Sequence, residues 1–206
     1  METIVVSPVL HTKEDAIAEE QDSLLARIIS ATKKAYMDRG PDFTMEALAK
    51  GLGISKKTLY AAVPDKESLL ELIIDGARAS IKAGQAAAIA DPSMAPVDRI
   101  RAVLGTLPED AASFDYLRLA ELESSHPRLF SRIQRLMEED WEATLALFEE
   151  GRRSGGLRDF DTAVFREMYT ATLNSMFRSR FLWKRGLSYA AALREVVDIL
   201  MKGIEA

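Results

Sequence analysis

The stretch from Thr44 to Lys66, TMEALAKGLGISKKTLYAAVPDK, constrains this chain more than any other. Thr44 is a helix-capping residue followed by Ala47, Leu48 and Leu52, which are expected on the inner side of a short helix. Gly53 stands where the chain must turn, and glycine tolerates the left-handed backbone that helix ends favour. Ser55 is a second capping residue and opens a second short helix. Ile54 and Leu59 are expected to pack inward. Lys56, Lys57, Thr58 and Tyr60 are left outward, offering cations and hydroxyls. Two short helices joined by a tight turn, the second starting with exposed cations, form the layout that enters a DNA major groove. Such side chains contact phosphates and base edges.

Charge supports that placement. The chain carries a net −5, which taken alone argues against nucleic acid. Its distribution reverses the argument. Residues 1–26 hold one Lys and six acids, residues 27–66 hold eight Lys/Arg against four acids, and residues 67–206 hold eighteen against twenty-two. The positive charge therefore lies on the module that carries the helix pair, and the acidic remainder limits nonspecific adhesion.

The same residues resemble the TetR family of transcriptional regulators. The likeness starts at RIISATKKAYMDRG, similar to the family's first helix and its closing glycine. It runs through FTMEALAKGLGISKKTLY and ends at PDKESLL, the start of the family's long fourth helix. Two departures stand out. The family usually has a small residue where Lys57 stands, and aromatic or His residues at Ala61, Ala62 and Val63. The ring missing at Ala62 is a familiar phosphate contact. Lys57 has two open roles: replacing that affinity, or reading a guanine.

Elsewhere the pattern predicts an all-α chain. A helix is expected from about Asp22 to Arg39, with Leu25, Ile28, Ile29, Thr32 and Tyr36 on one face, stopped by Gly40-Pro41. A long helix should start near Asp65 and reach Ala86–Ala88. Further helices are expected at about Pro96–Leu107, Ala112–Ser124, Pro127–Arg153, Asp161–Trp183 and Ser188–Ile204. The organisation expected is a flexible arm at 1–18, a three-helix helix-turn-helix domain at 19–66, and a helical bundle at 67–206 for dimerisation and ligand binding. The arm's acidic charge favours a tail over a DNA contact.

The last two expected helices carry more apolar surface than one packed neighbour needs. Val164, Met168, Thr172, Ser175 and Ser179 form one stripe beside Phe165, Tyr169, Leu173, Met176, Phe177 and Phe181. Tyr189, Leu193, Val196, Val197, Leu200 and Ile204 add to it. Monomer core and a four-helix homodimer interface are both open from the pattern; the resemblance favours the dimer, which would span a two-fold symmetric operator on double-stranded DNA.

The resemblance also implies a small-molecule effector among the middle helices. Phe114, Leu117, Trp141, Leu145, Phe165, Met168, Tyr169 and Met176 are candidates for a pocket suited to an apolar or amphipathic ligand, with Arg118, Asn174 and Arg178 as polar anchors. Each is equally a candidate for ordinary core. Thr44 and Ser55 are open to capping alone or to capping plus phosphate contact. Lys66 lies where the family often touches phosphate.

Several chemistries find no support. Zero cysteines exclude disulfides and thiolate metal sites. His11 and His126 have no metal-ligand partner at helical spacing. Gly51-Leu52-Gly53 follows no strand and is no dinucleotide fingerprint. No nucleophile motif points to an enzyme, and no cofactor is implied. No apolar run suits a membrane, and the N-terminus reads as no signal peptide. The expected protein is a cytoplasmic, ligand-released regulator, most simply a repressor. A helical effector- or protein-binding module with a degenerate DNA head is the alternative.

Overall fold

A computed structural model describes residues 13–111, 120–179 and 184–206. Among the described residues the only β-type pairing is an isolated bridge between Leu157 and Glu205, so the all-α expectation stands.

Helix α1 runs Lys13–Arg39 and starts well before the expected Asp22, so the final part of the predicted arm is helical. The remainder of that arm lies outside the described residues. Gly40 ends α1 with φ +62°, and a 3-10 turn at Gly40–Asp42 follows. Helices α2 (Met45–Leu52) and α3 (Lys56–Ala62) form the predicted pair, and α4 runs Lys66–Ala90. Then come α5 (Pro96–Leu104), α6 (Leu122–Ser125), α7 (Pro127–Glu138), α8 (Glu142–Arg153), α9 (Thr162–Arg178) and α10 (Tyr189–Lys202).

Most boundaries follow local chemistry. Asp65 caps α4 by accepting from the Ser68 N–H at 2.7 Å, Asp161 caps α9 through Ala163 and Val164, and Ser188 caps α10 through Ala191. Pro96 and Pro127 occupy first helical turns, where a missing N–H costs nothing. One boundary differs in kind. The helix expected across Pro127–Arg153 is broken between α7 and α8, where Asp140 adopts φ +62°. Its carboxylate pairs with Arg78 and Lys82 of α4 at 2.7 and 2.6 Å, so the helix break coincides with a long-range ion-pair cluster. The expected Ala112–Ser124 helix falls mostly outside the described residues, as do Phe181 and Trp183.

Apolar packing forms three clusters. Ile28, Met45, Leu48, Ala49, Leu59, Val63 and Leu69 make the core of the N-terminal module. Ala47 is expected there but is exposed; Met45 and Ala49, two residues to either side, take the inner face. Leu69 sits in this core although it lies past residue 66, so the start of α4 is shared with the module. The large cluster centres on Ile100, Trp141, Phe148, Phe165, Leu193 and Met201. A third joins the two: Tyr36 and Phe43 of the N-terminal module pack with Leu70 and Ile74 of α4, Leu122 of α6, and Leu129 and Phe130 of α7. Lys33 of α1 also pairs with Asp110, after α5. The N-terminal module is therefore fastened to the bundle at several points besides the continuous α4.

Candidate nucleic-acid interface

The interface is built on two caps. Thr44 Oγ1 accepts from the Ala47 N–H at 3.1 Å, and Ser55 Oγ accepts from the Thr58 N–H at 3.0 Å. Between them Gly53 takes φ +68° and donates its N–H back to α2, setting the turn. Fully buried Leu59 and Val63 seat α3 on the module core, while Ile54 and Leu52 are half-buried. Val63 thus fills the inner position of the unusual Ala61–Val63 segment, and only Ala61 and Ala62 present their shortened side chains to solvent.

With α3 seated, Thr44, Ser55, Lys56, Lys57, Thr58 and Tyr60 are all exposed, Tyr60 by 43%. The two lysines differ. Lys56 Nζ lies 2.9 Å from Glu46 Oε1 in the first turn of α2. That hydrogen bond holds the Glu46 carboxyl below its usual range. Lys57 makes no ion pair or hydrogen bond among the described residues. The Ser55 and Thr58 hydroxyls share a hydrogen bond at 2.8 Å. Glu46 was missed by sequence reasoning, because periodicity along one helix carries no information about a residue facing it from another.

Lys66 is turned inward. Its ammonium donates to the carbonyls of Pro41 and of Phe43, the latter at 2.9 Å, and lies 4.4 Å from the Phe43 ring centre. Burial pushes its pKa down, opposed by Asp42. Two of its three donors are thus spent closing the turn after α1 onto α4. In this arrangement Lys66 serves the architecture of the module.

A second site lies within the bundle. A cavity of about 240 Å³ is bounded by α4, α5, α7, α8, α9 and α10. Of the predicted pocket residues, Trp141 and Tyr169 line it, packed edge to face at 5.6 Å. Tyr169 donates its hydroxyl to the Leu104 carbonyl at 2.5 Å, and burial raises its pKa. The other described candidates do not line it. Phe165 is taken up by an aromatic cluster with Phe148 and Phe160, at 5.0 and 5.7 Å. Leu145 and Met176 pack in the core, and Met168 faces outward, 52% exposed. Phe114, Leu117 and Arg118 lie outside the described residues. Arg178 is held by Glu123 at 2.6 Å over the Phe130 ring; neither it nor Asn174, whose buried Oδ1 has no hydrogen-bond partner, lines the cavity. In their place α4 supplies Ile73, Ala77 and Ile81, with Arg78 and Lys82 beside them. Their spacing of four along α4 is a stripe visible in the sequence.

Residues 28–73 match the family model of bacterial regulatory proteins, tetR family, across α1, the paired short helices and the start of α4. Over those residues the chain is similar to the TetR family of regulators. It is a sequence-specific DNA-binding transcriptional regulator. The likeness extends beyond the matched segment. The uncharacterized HTH-type transcriptional regulator YvaF of Bacillus subtilis (strain 168) is 27% identical over 180 residues, covering 87% of this chain and 95% of that protein. In fold, the chain is similar to a TetR/AcrR-family regulator from Thermobifida fusca, with TM-score 0.67, 20% identity, and 88% and 98% of the two chains covered. It is also similar to the ketosteroid transcriptional regulator KstR2 of Mycobacterium tuberculosis, with TM-score 0.60, 19% identity, and 90% and 96% covered. Among the described residues no helix is long and apolar enough to cross a membrane, and no three His, Cys, Asp or Glu side chains gather as a metal site.

Proposed function

We propose that this regulator is a homodimeric repressor that leaves a two-fold symmetric operator when an apolar or amphipathic small molecule enters the bundle. The observation that carries the reading is the position of the cavity. It lies against α4, the helix whose first turn is tied to the DNA module through Lys66, Leu69 and Leu70. A ligand that fits one tilt of α4 better than another shifts the balance between DNA-competent and released states by its difference in affinity for the two.

Dimerisation is supported by the outer faces of the last two helices. Val164 and Met168 on α9 are 55% and 52% exposed, and Ile199 on α10 is 61% exposed. A second copy covering these side chains would remove that surface from water and hold two α3 helices about 34 Å apart, one DNA turn. Lys57 and Tyr60 are the base-reading candidates, Thr44, Ser55, Lys56 and Thr58 the phosphate-side ones. The degenerate-head alternative gains no support, since Val63 preserves the seat of α3 and the truncation at Ala61 and Ala62 affects the surface alone.

Selection of duplexes from a random pool at near-physiological salt tests the DNA reading. Enrichment of a two-fold symmetric sequence is expected. A folded protein that enriches nothing, or enriches an unpaired half-site, overturns it.

A further inference from the structure

We propose that the cavity takes an amphipathic anion, an apolar body carrying one carboxylate or phosphate group, and that this group replaces Asp140 between Arg78 and Lys82. The proposal rests on the effector reading above and names the chemistry of the molecule.

The polar groups of the cavity are unevenly spread. Its walls are largely apolar, while Arg78, Lys82, Glu139 and Asp140 all line it together. These four are also roughly a third to a half exposed, so they stand where the cavity meets solvent. Arg78 reaches Glu139 at 2.9 Å and Asp140 at 2.7 Å, and Lys82 reaches Asp140 at 2.6 Å. An apolar ligand seated in the cavity therefore has its polar end beside a closed set of two cations and two carboxylates.

The two signs are held differently. The cations sit one turn apart on α4, a 25-residue helix with ordinary backbone geometry. The carboxylates sit on the short junction between α7 and α8. Asp140 there is the one described non-glycine residue with positive φ, at 62°. Aspartate reaches the left-handed region more readily than most residues, but at a cost that glycine avoids, so its partners help to keep it there. Here the hold is its ion pairs with Arg78 and Lys82. An incoming anion keeps both cations satisfied and lets the junction relax. An incoming cation must instead compete with two cations on a rigid helix, and it leaves Asp140 strained. The asymmetry selects an anionic group.

The size is suitable. A cavity of about 240 Å³ exceeds the ~150 Å³ that accommodates benzene. Release of Asp140 also removes two of the ion pairs that tie the end of α7 to α4. Since α7 carries Leu129 and Phe130 against Tyr36 and Phe43, the exchange of one anion for another at Arg78 reaches packing that holds the DNA module.

The test uses the full chain and three probes with the same tail: decanoate, decanol and decylammonium, titrated calorimetrically below their micellar range. Decanoate is expected to bind at least about tenfold more tightly than either of the others. Lys82→Gln, at an exposed position, should reduce that preference to a few-fold. Asp140→Gly should tighten decanoate several-fold, because glycine suits the left-handed backbone and the competing carboxylate is gone. Equal affinity for decanol or decylammonium would overturn the anionic assignment while leaving the cavity as a ligand site. A decanoate preference unmoved by both variants would place the anion elsewhere and overturn it too. Binding of none of the three would overturn both the assignment and the cavity's role as a ligand site.

Discussion

Replacing Glu46 with glutamine should make DNA binding more salt-sensitive and tighter. In the free protein Glu46 lies 2.9 Å from Lys56, and both side chains are more than half exposed. The pair presents no net charge to a phosphate backbone. Glu46→Gln leaves a similar shape and frees one cation beside the start of α3. Each phosphate neutralised by a protein cation steepens the slope of log affinity against log salt by about 0.9, so the variant slope should be steeper by about that amount. At about 0.1 M salt one added contact corresponds to an affinity gain of about eightfold. The gain should be the same on operator and scrambled duplexes, because phosphates carry no sequence information. Lys56→Gln should move the slope the other way, leaving Glu46 unpaired before the backbone. The double variant, again neutral at this position, should return close to the wild-type slope. Fluorescence anisotropy of labelled duplexes, titrated from about 0.05 to 0.3 M salt, measures all four. Because exposed pairs contribute little to folding, melting temperatures should barely change. An unchanged slope in folded Glu46→Gln protein, or a double variant far from wild type, would refute the reasoning.

Other expectations concern separate parts of the molecule. Lys57→Ala should lose about 1–3 kcal/mol at a single base position if Lys57 reads a base; uniform loss with a slope shallower by about 0.9 indicates a phosphate contact, and unchanged binding removes it from the interface. Lys66→Met should cost about 1–3 kcal/mol in urea unfolding by stranding the Pro41 and Phe43 carbonyls, with no change in salt slope; a shallower slope with unaltered stability would return Lys66 to the phosphates. Met168→Glu places a charge on the outer face of α9 and should yield a monomer in sedimentation equilibrium, and a persisting dimer would move the interface elsewhere. His126, lowered in pKa by burial first and by Lys66 second, favours its neutral form in the fold. The unfolded chain takes up the proton near its ordinary pKa of about 6.5. Stability from this residue is therefore complete above that pH and declines as pH falls toward the folded pKa. His126→Gln should flatten the thermal-stability profile between pH 7.5 and 5, and parallel profiles would exclude the linkage.

Local chemistry made much of this protein legible. The caps at Thr44, Ser55, Asp65, Asp161 and Ser188, and the stop at Gly40-Pro41, act over two to four residues, and each lies where the sequence indicates. The exposed side chains of α3 follow from the same reasoning, since one anchor, Leu59, orients so short a helix. Helical spacing also reveals the two stripes of α9. It does not say which of them meets the core, because both are apolar enough to be buried. Packing decided that Phe165 joins Phe148 and Phe160 while Met168 faces outward. The remaining differences arise where one helix meets another distant in sequence. The Lys66 ammonium is drawn to carbonyls that close the turn after α1, and Glu46 neutralises Lys56 across the turn between α2 and α3. Asp140 takes a left-handed backbone and pairs with cations sixty residues or so earlier, at a break that helical spacing does not mark. Hydrogen bonds to adjacent backbone and the periodicity of apolar residues are encoded within a few positions of the chain. The cavity, its charged mouth and the fastening of the DNA module to the bundle depend on which surfaces approach in three dimensions, and that is settled only by the packing of the whole.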